Sequence, residues 1–168
     1  MKNYNYSNWQ MWALVTLRVA IGWHFFYEGL AKWYQPGWSA QGYLEDSQGF
    51  LAGIFHWLAN QAGLIGFLDA FNITALLVIG LFLMLGFNAR YATLGGIGLL
   101  VIYYLSHPAI PGVIYAAPTE GNYFFIDKNV IEFLALTVLW LFPTSNLIGV
   151  DRLLNSRRSV ENKSLKPA

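Results

Sequence analysis

Four stretches of the chain are nearly continuous in apolar residues, at 9–31, 71–87, 91–105 and 130–148, and polar residues gather between them. A bilayer core about 30 Å thick needs about 20 residues of helix, and fewer where the bilayer thins or neighbouring helices compensate. The pattern predicts an all-α protein, a polytopic membrane four-helix bundle. The first stretch carries Arg18, His24 and Glu28 within it, whereas the second has no charge. The third is rich in glycine and is closed by His107-Pro108, where the missing amide of proline stops a helix. The fourth is interrupted by Glu132 near its start and Pro143 near its end.

Between the first two stretches, over 35–69, glycine, glutamine and tryptophan mix with apolar residues. Phe50, Leu51, Ile54, Phe55 and Leu58 recur there at helical spacing beside Gln48, Asn60 and Gln61. This adds a further helix between helices 1 and 2, either lying in the membrane interface or re-entrant. The connection 107–129, rich in Pro, Gly and Tyr, reads as an ordered cap. The residues at 1–150 form one transmembrane domain, and 151–168 read as a polar cytoplasmic tail with too little apolar content to fold alone. The apolar stretch near the N-terminus is longer than a signal-peptide core and lacks a small-residue cleavage site, so the first helix is expected to be retained.

Composition supports the same class: 56% of residues are hydrophobic and 11% charged, against about 25% charged in soluble domains. The net charge is +1 and no long basic run is present, which leaves no footprint for nucleic acid. With no cysteine, the chain has no disulfide, thiolate metal site or dithiol relay of its own. Lys2, Arg90, Arg152, Arg157, Arg158, Lys163 and Lys166 fall on one side of the expected spans, and Lys32 and Lys128 on the other. The positive-inside rule then places both termini in the cytoplasm of a prokaryotic inner membrane and turns the two long connections outward. Trp9, Trp33, Tyr34, Tyr91, Tyr103, Tyr104 and Tyr123 sit near expected helix ends, as an aromatic belt would.

The candidate chemistry begins with Arg18, near the middle of the first span, where a charge facing lipid costs on the order of 3 kcal/mol. At 3.6 residues per turn, Arg18, Gly22, Phe25, Gly29 and Lys32 form one stripe, and His24, Glu28 and Lys32 an adjoining row. Gly22 and Gly29 let a helix or a ligand approach closely. One reading is a polar pocket open to the outer face, with Arg18 anchoring an anion or carbonyl and His24 and Glu28 handling protons. The other is a buried ion pair that fixes helix register. Asp127 and Asn129 serve either as helix caps or as pocket residues, and Glu132, one turn further in, can meet His24 or Lys32. His56 and His107 lie near interfaces, where a lone histidine is more often hydrogen-bonded than a ligand. The spacing of the three histidines supports no metal site.

The stretch LRVAIGWHFFYEGLAKW, with Arg18, Gly22, Gly29 and Lys32, resembles the first helix of the DoxX/DoxD family of small membrane proteins. The resemblance continues in LLVIGLFLMLGFNAR, with Gly80, Gly86 and Arg90, and in NYFFIDKNVIEFLAL at the start of the last helix. Many members carry an acidic residue about one turn before the glycine of the second helix; Leu76 stands near that place, so Glu28 or Glu132 would supply such a carboxylate. DoxD-like proteins are named for a membrane subunit of thiosulfate:quinone oxidoreductase. The resemblance implies a membrane subunit of a quinone-linked oxidoreductase system, with His24, Glu28 and Glu132 as candidate catalytic groups and quinone as the carrier. Its expected partners are the bilayer, a soluble or membrane oxidoreductase subunit and a second copy of the chain. A non-catalytic scaffold or chaperone for a partner protein is the alternative, and a small-solute transporter a third.

Overall fold

The computed structural model describes residues 6–116 and 124–156. Lys2, Tyr123, Arg157, Arg158, Lys163 and Lys166, which enter the charge and belt arguments, lie outside the described residues. All regular structure among those residues is helical: α1 (Asn8–Tyr34), α2 (Gln41–Glu45), α3 (Ala52–Ala59), α4 (Ala62–Leu85), α5 (Ala89–Ser106) and α6 (Lys128–Leu141). A short helical segment follows at 150–156.

Local chemistry sets most of the boundaries. Ser7 and Gln10 form a capping box at the start of α1, each side chain accepting from the other's backbone N–H and so satisfying two donors that have no partner within the helix. Gly86 ends α4 in the left-handed conformation, with φ at 62°, which costs glycine little. Asn88 is also left-handed, and the Asp151 carboxylate accepts its N–H at 2.7 Å, tying the C-terminal segment to the α4–α5 turn. His107 and Phe142 each precede a proline, and both have left the α region as that position requires. Phe142 therefore closes α6, and the helix stops at Leu141 rather than continuing through 148. Asp127 caps the other end, accepting the Val130 N–H at 2.9 Å.

The second long helix begins at Ala62 rather than at Phe71. Asp69 and Asn72, polar residues that argue against a bilayer span, turn inward instead of marking a loop. Asp69 accepts the Ala40 N–H at 2.7 Å, and Asn72 donates to the Tyr103 hydroxyl at 2.7 Å. The connection before it holds two short helices: α3 buries Phe55 and Ala59 and leaves Ile54 and Trp57 exposed.

Helix α1 packs along α4, α4 against α5 and α5 against α6, with α1 touching α6 to complete the ring. The core between them is built from Ile21 and Phe25 of α1, Leu76, Ile79 and Leu83 of α4, Leu99 and Leu100 of α5, and Leu136 and Leu139 of α6. The α1–α4 contact is the tightest: a Cβ on Gly80 would lie 2.6 Å from the Gly22 carbonyl oxygen, and one on Gly22 2.8 Å from the Met84 nitrogen. Only backbones without side chains approach this closely.

The distribution of polarity is that of a protein in lipid. Arg18, Thr93, Ser106, His107, Thr144 and Ser145 are buried, while Trp12, Val19, Trp23, Phe67, Val78, Leu94, Ile102, Ile131 and Leu134 face outward. Apolar exterior this extensive would not stay monomeric in water. Among the described helices, Ala62–Leu85 is the one long and apolar enough to cross a membrane by length and composition.

Candidate functional site

A cavity of about 320 Å³ lies where α1, α4, α5 and α6 meet the two long connections. That is at the small end of the usual range for ligand sites. One wall is ionisable. His24 and Glu28 are a helical turn apart on α1, and Lys32 follows one turn later, so the three project along one side of the helix. The Lys32 ammonium reaches Glu28 Oε2 at 2.5 Å. His24 Nδ1 meets Glu132 Oε1 of α6 at 2.8 Å, while its Nε2 stands 4.0 Å from Glu28 Oε1, too far for a hydrogen bond. His24 thus sits between two carboxylates, bonded to one and facing the other.

The opposite wall is aromatic and comes from the connections. The His107 ring stacks on Tyr43 with centroids 3.9 Å apart and meets Tyr115 at 4.5 Å. His107 Nδ1 bonds the Ser106 hydroxyl at 3.0 Å, and Ser106 in turn bonds Ser47. Its Nε2 is buried and makes no hydrogen bond; Asp46 Oδ2 stands 3.6 Å away, an electrostatic approach only. Burial holds the His107 imidazole below its ordinary pKa, with Asp46 acting against the shift. Burial also pushes the Tyr43 phenol well above its usual range, helped by Tyr103 and Asp127, and raises Tyr115. These phenols stay protonated and can donate.

Two polar groups occupy the cavity floor. Asn72 Nδ2 donates to the Tyr103 hydroxyl, which leaves the Tyr103 O–H free to donate elsewhere. Asn72 Oδ1 is buried without a hydrogen-bond partner. A donor and a waiting acceptor therefore stand side by side at a wall otherwise formed by Phe25, Leu76 and Leu100.

Residues 13–108 match the family described as DoxX. The chain belongs to the DoxX family. DoxX proteins are membrane proteins, in keeping with the apolar exterior. The matched region runs from within α1 through α5 and ends at Pro108, so the part of this DoxX protein's cavity made by Asp127, Asn129 and Glu132 comes from beyond it. No curated protein and no solved structure matches the chain.

The cavity brings together six residues singled out from the sequence: His24, Glu28, Lys32, Asp127, Asn129 and Glu132. His107 joins them on the aromatic side, whereas His56 stays in the connection, bonded to the Ser47 carbonyl at 2.9 Å. Arg18, Gly22 and Gly29 do not line it. Six residues of helix turn Arg18 about 120° away from His24 and place it about 9 Å lower along the axis. There Arg18 bonds Thr144 Oγ1 at 2.9 Å and the Ile148 carbonyl at 2.8 Å. Gly22 and Gly29 instead lie against Met84 and Leu77 of α4, so they serve helix packing and admit no ligand. Tyr43, Asn72, Tyr103 and Tyr115 were missed. The amphipathic spacing of Asn72 beside Asp69 was the one available signal.

Proposed function

We propose that this protein is a membrane subunit of a quinone-linked oxidoreductase system and that the cavity holds the quinone ring. The unpartnered Asn72 Oδ1 beside the Tyr103 hydroxyl carries this reading. A carbonyl is met by the Tyr103 O–H, and the hydroxyl of the reduced form by Asn72 Oδ1, so one floor accommodates both redox states. The flat Tyr43–His107 stack offers a face of the right shape for an aromatic ring.

A bound quinone would accept two electrons, supplied by a soluble or membrane partner subunit, together with two protons. The chain's own contribution is to hold the ring and deliver protons. The His24–Glu132 hydrogen bond can pass a proton inward, and Glu28, held by Lys32, faces His24 Nε2 across 4.0 Å, a gap that one water would bridge to recharge His24.

In the bilayer, four crossings suit the lengths of the long helices. At 1.5 Å per residue α1, α4 and α5 span about 40, 36 and 27 Å, and α6 about 21 Å. The turn at 142–149 extends α6 toward the same level as the α4–α5 turn. Helix α2, whose Tyr43 lines the cavity, then lies at the outer interface, with α3 beside it. The Lys and Arg asymmetry supports cytoplasmic termini in a prokaryotic inner membrane.

The test is a titration of purified protein with ubiquinone and menaquinone analogues, followed by tryptophan quenching. Saturable binding at one site per chain, weakened by Asn72→Leu, is expected. Non-saturable partitioning, unchanged in the variant, would remove the proposal.

A further inference from the structure

The proposed quinone site is ringed by four helices whose seams are closed in different ways. Between α1 and α4 the helices meet at their backbones: a Cβ on Gly29, one residue beyond Glu28, would lie 3.1 Å from the Leu77 nitrogen. Between α4 and α5, Asn72 bonds the Tyr103 hydroxyl and Ile79 lies against Gly95 and Gly96. Between α5 and α6, Leu136 lies over Gly96 and the Tyr104 hydroxyl donates to the Phe125 carbonyl at 3.0 Å. The α1–α6 seam is different. Among the described residues it is crossed at the level of the cavity by one side-chain hydrogen bond, His24 to Glu132. Helix α6 meets α1 far less than it meets α5, so its shortness does not account for the slight contact.

His24 and Glu28 line the cavity yet keep 44% and 40% of their side-chain surface exposed. His107 lines the same cavity from the other wall and keeps 7%, so facing the cavity does not by itself expose a side chain. The rest of the His24 and Glu28 surface is turned outward. At about 100° per residue, Ala20, Tyr27 and Ala31 lie on one flank of His24 and are exposed, whereas Ile21 and Phe25 lie on the other and are buried. The cavity wall is therefore one side chain thick here, between the interior and the lipid-facing side of α1.

We infer that the cavity opens to the bilayer between α1 and α6, that the apolar chain of its ligand leaves through this opening along the Ala20 side of α1, and that the His24–Glu132 bond closes it when the cavity is empty. The inference rests on the quinone reading, because a quinone joins a ring that takes polar partners to an isoprenoid chain that stays in lipid. A chain led out past the connections would instead run by Ser39, Asp127 and Asn129 into water, where every methylene loses its transfer free energy. Both partners of the closing bond are side chains, so it can part without moving a helix backbone.

Equilibrium binding to the purified full-length protein in nanodiscs tests this with two ligands, a ubiquinone headgroup without its chain and the decyl derivative of the same headgroup. Ala20→Phe sets a phenyl group on the exposed flank of the opening. Gly98→Phe sets one on the exposed side of α5, where a Cβ meets nothing within 4 Å. The decyl ligand is expected to bind Ala20→Phe about tenfold or more weakly than wild type, the weight of one overpacked contact, while the bare headgroup binds both alike. Gly98→Phe should bind both ligands as wild type does. Ala31→Phe, on the same flank as Ala20, should act as Ala20→Phe does and serves where that variant fails to fold. Saturable decyl binding to wild type that is unchanged in both flank variants would overturn the opening and leave the quinone reading standing. Decyl binding weakened equally by Gly98→Phe would overturn it too. Absence of saturable binding of either ligand to wild type would remove the quinone reading, and the opening with it.

Discussion

Replacing Gly80 by Ala places a methyl group at the closest approach of α1 and α4. Its Cβ would stand 2.6 Å from the Gly22 carbonyl oxygen, where ordinary contact begins at 3.4 Å, a shortfall of about 0.8 Å. The Phe26 backbone nitrogen crowds the same point, so no side chain can rotate away and the two helices must separate. Overpacking of this kind costs about 1–3 kcal/mol. The effect reaches the site, because α1 carries His24 and Glu28. A displacement of about 0.8 Å stretches the 2.8 Å His24–Glu132 bond beyond hydrogen-bond length. Gly98 is the matched control: a Cβ there meets nothing within 4 Å, and Ala should stabilise α5 by about 0.5–1 kcal/mol through its higher helix propensity. Chemical denaturation in mixed micelles, followed by circular dichroism, should order the three proteins as Gly98→Ala, wild type, Gly80→Ala. A Gly80→Ala protein as stable as wild type would refute the close α1–α4 packing.

Glu132→Gln replaces the charge-assisted His24–Glu132 bond between α1 and α6 by a neutral one and should cost about 1 kcal/mol of stability in chemical denaturation. Asp69→Ala frees the Ala40 N–H, should cost about 1 kcal/mol, and should speed amide exchange over 38–45, where Trp38 and Tyr43 stand. Burial depresses the folded-state pKa of His107 below 6.5, so the unfolded chain binds that proton more readily than the folded one. The stability it contributes is present above pH 6.5 and is lost as pH falls through the lowered folded value; unfolding midpoints from pH 8 downward should show the loss, reduced in His107→Gln.

Much of the helical order could be read from hydrophobic runs and breakers; His107-Pro108 was legible as a stop, whereas the apolar run past Pro143 hid the end of α6 at Leu141. The start of α4 was hidden too, because Asp69 takes its partner, the Ala40 N–H, from a distant part of the chain. Helical spacing alone aligned His24, Glu28 and Lys32, and their level in the membrane pointed to Glu132. Arg18 misled, since its cost in lipid signals only that it faces inward, not which end of the interior it meets. Its partners, Thr144 and the Ile148 carbonyl, come from a turn that Pro143 creates. The aromatic wall was hidden for a related reason. Tyrosines at helix ends suit an interfacial belt, and only folding of the connections turns Tyr43, Tyr103 and Tyr115 toward a shared cavity.

Photolabelling with an azido-quinone in native-like bilayers, followed by peptide mapping, addresses the proposed site most directly. Labelling should concentrate in the segments carrying Trp38–Tyr43 and Tyr103–Tyr115 and be displaced by unlabelled quinone. Labels spread over the outward-facing Trp12, Phe67 and Ile131 in proportion to exposure, with no displacement, would contradict it.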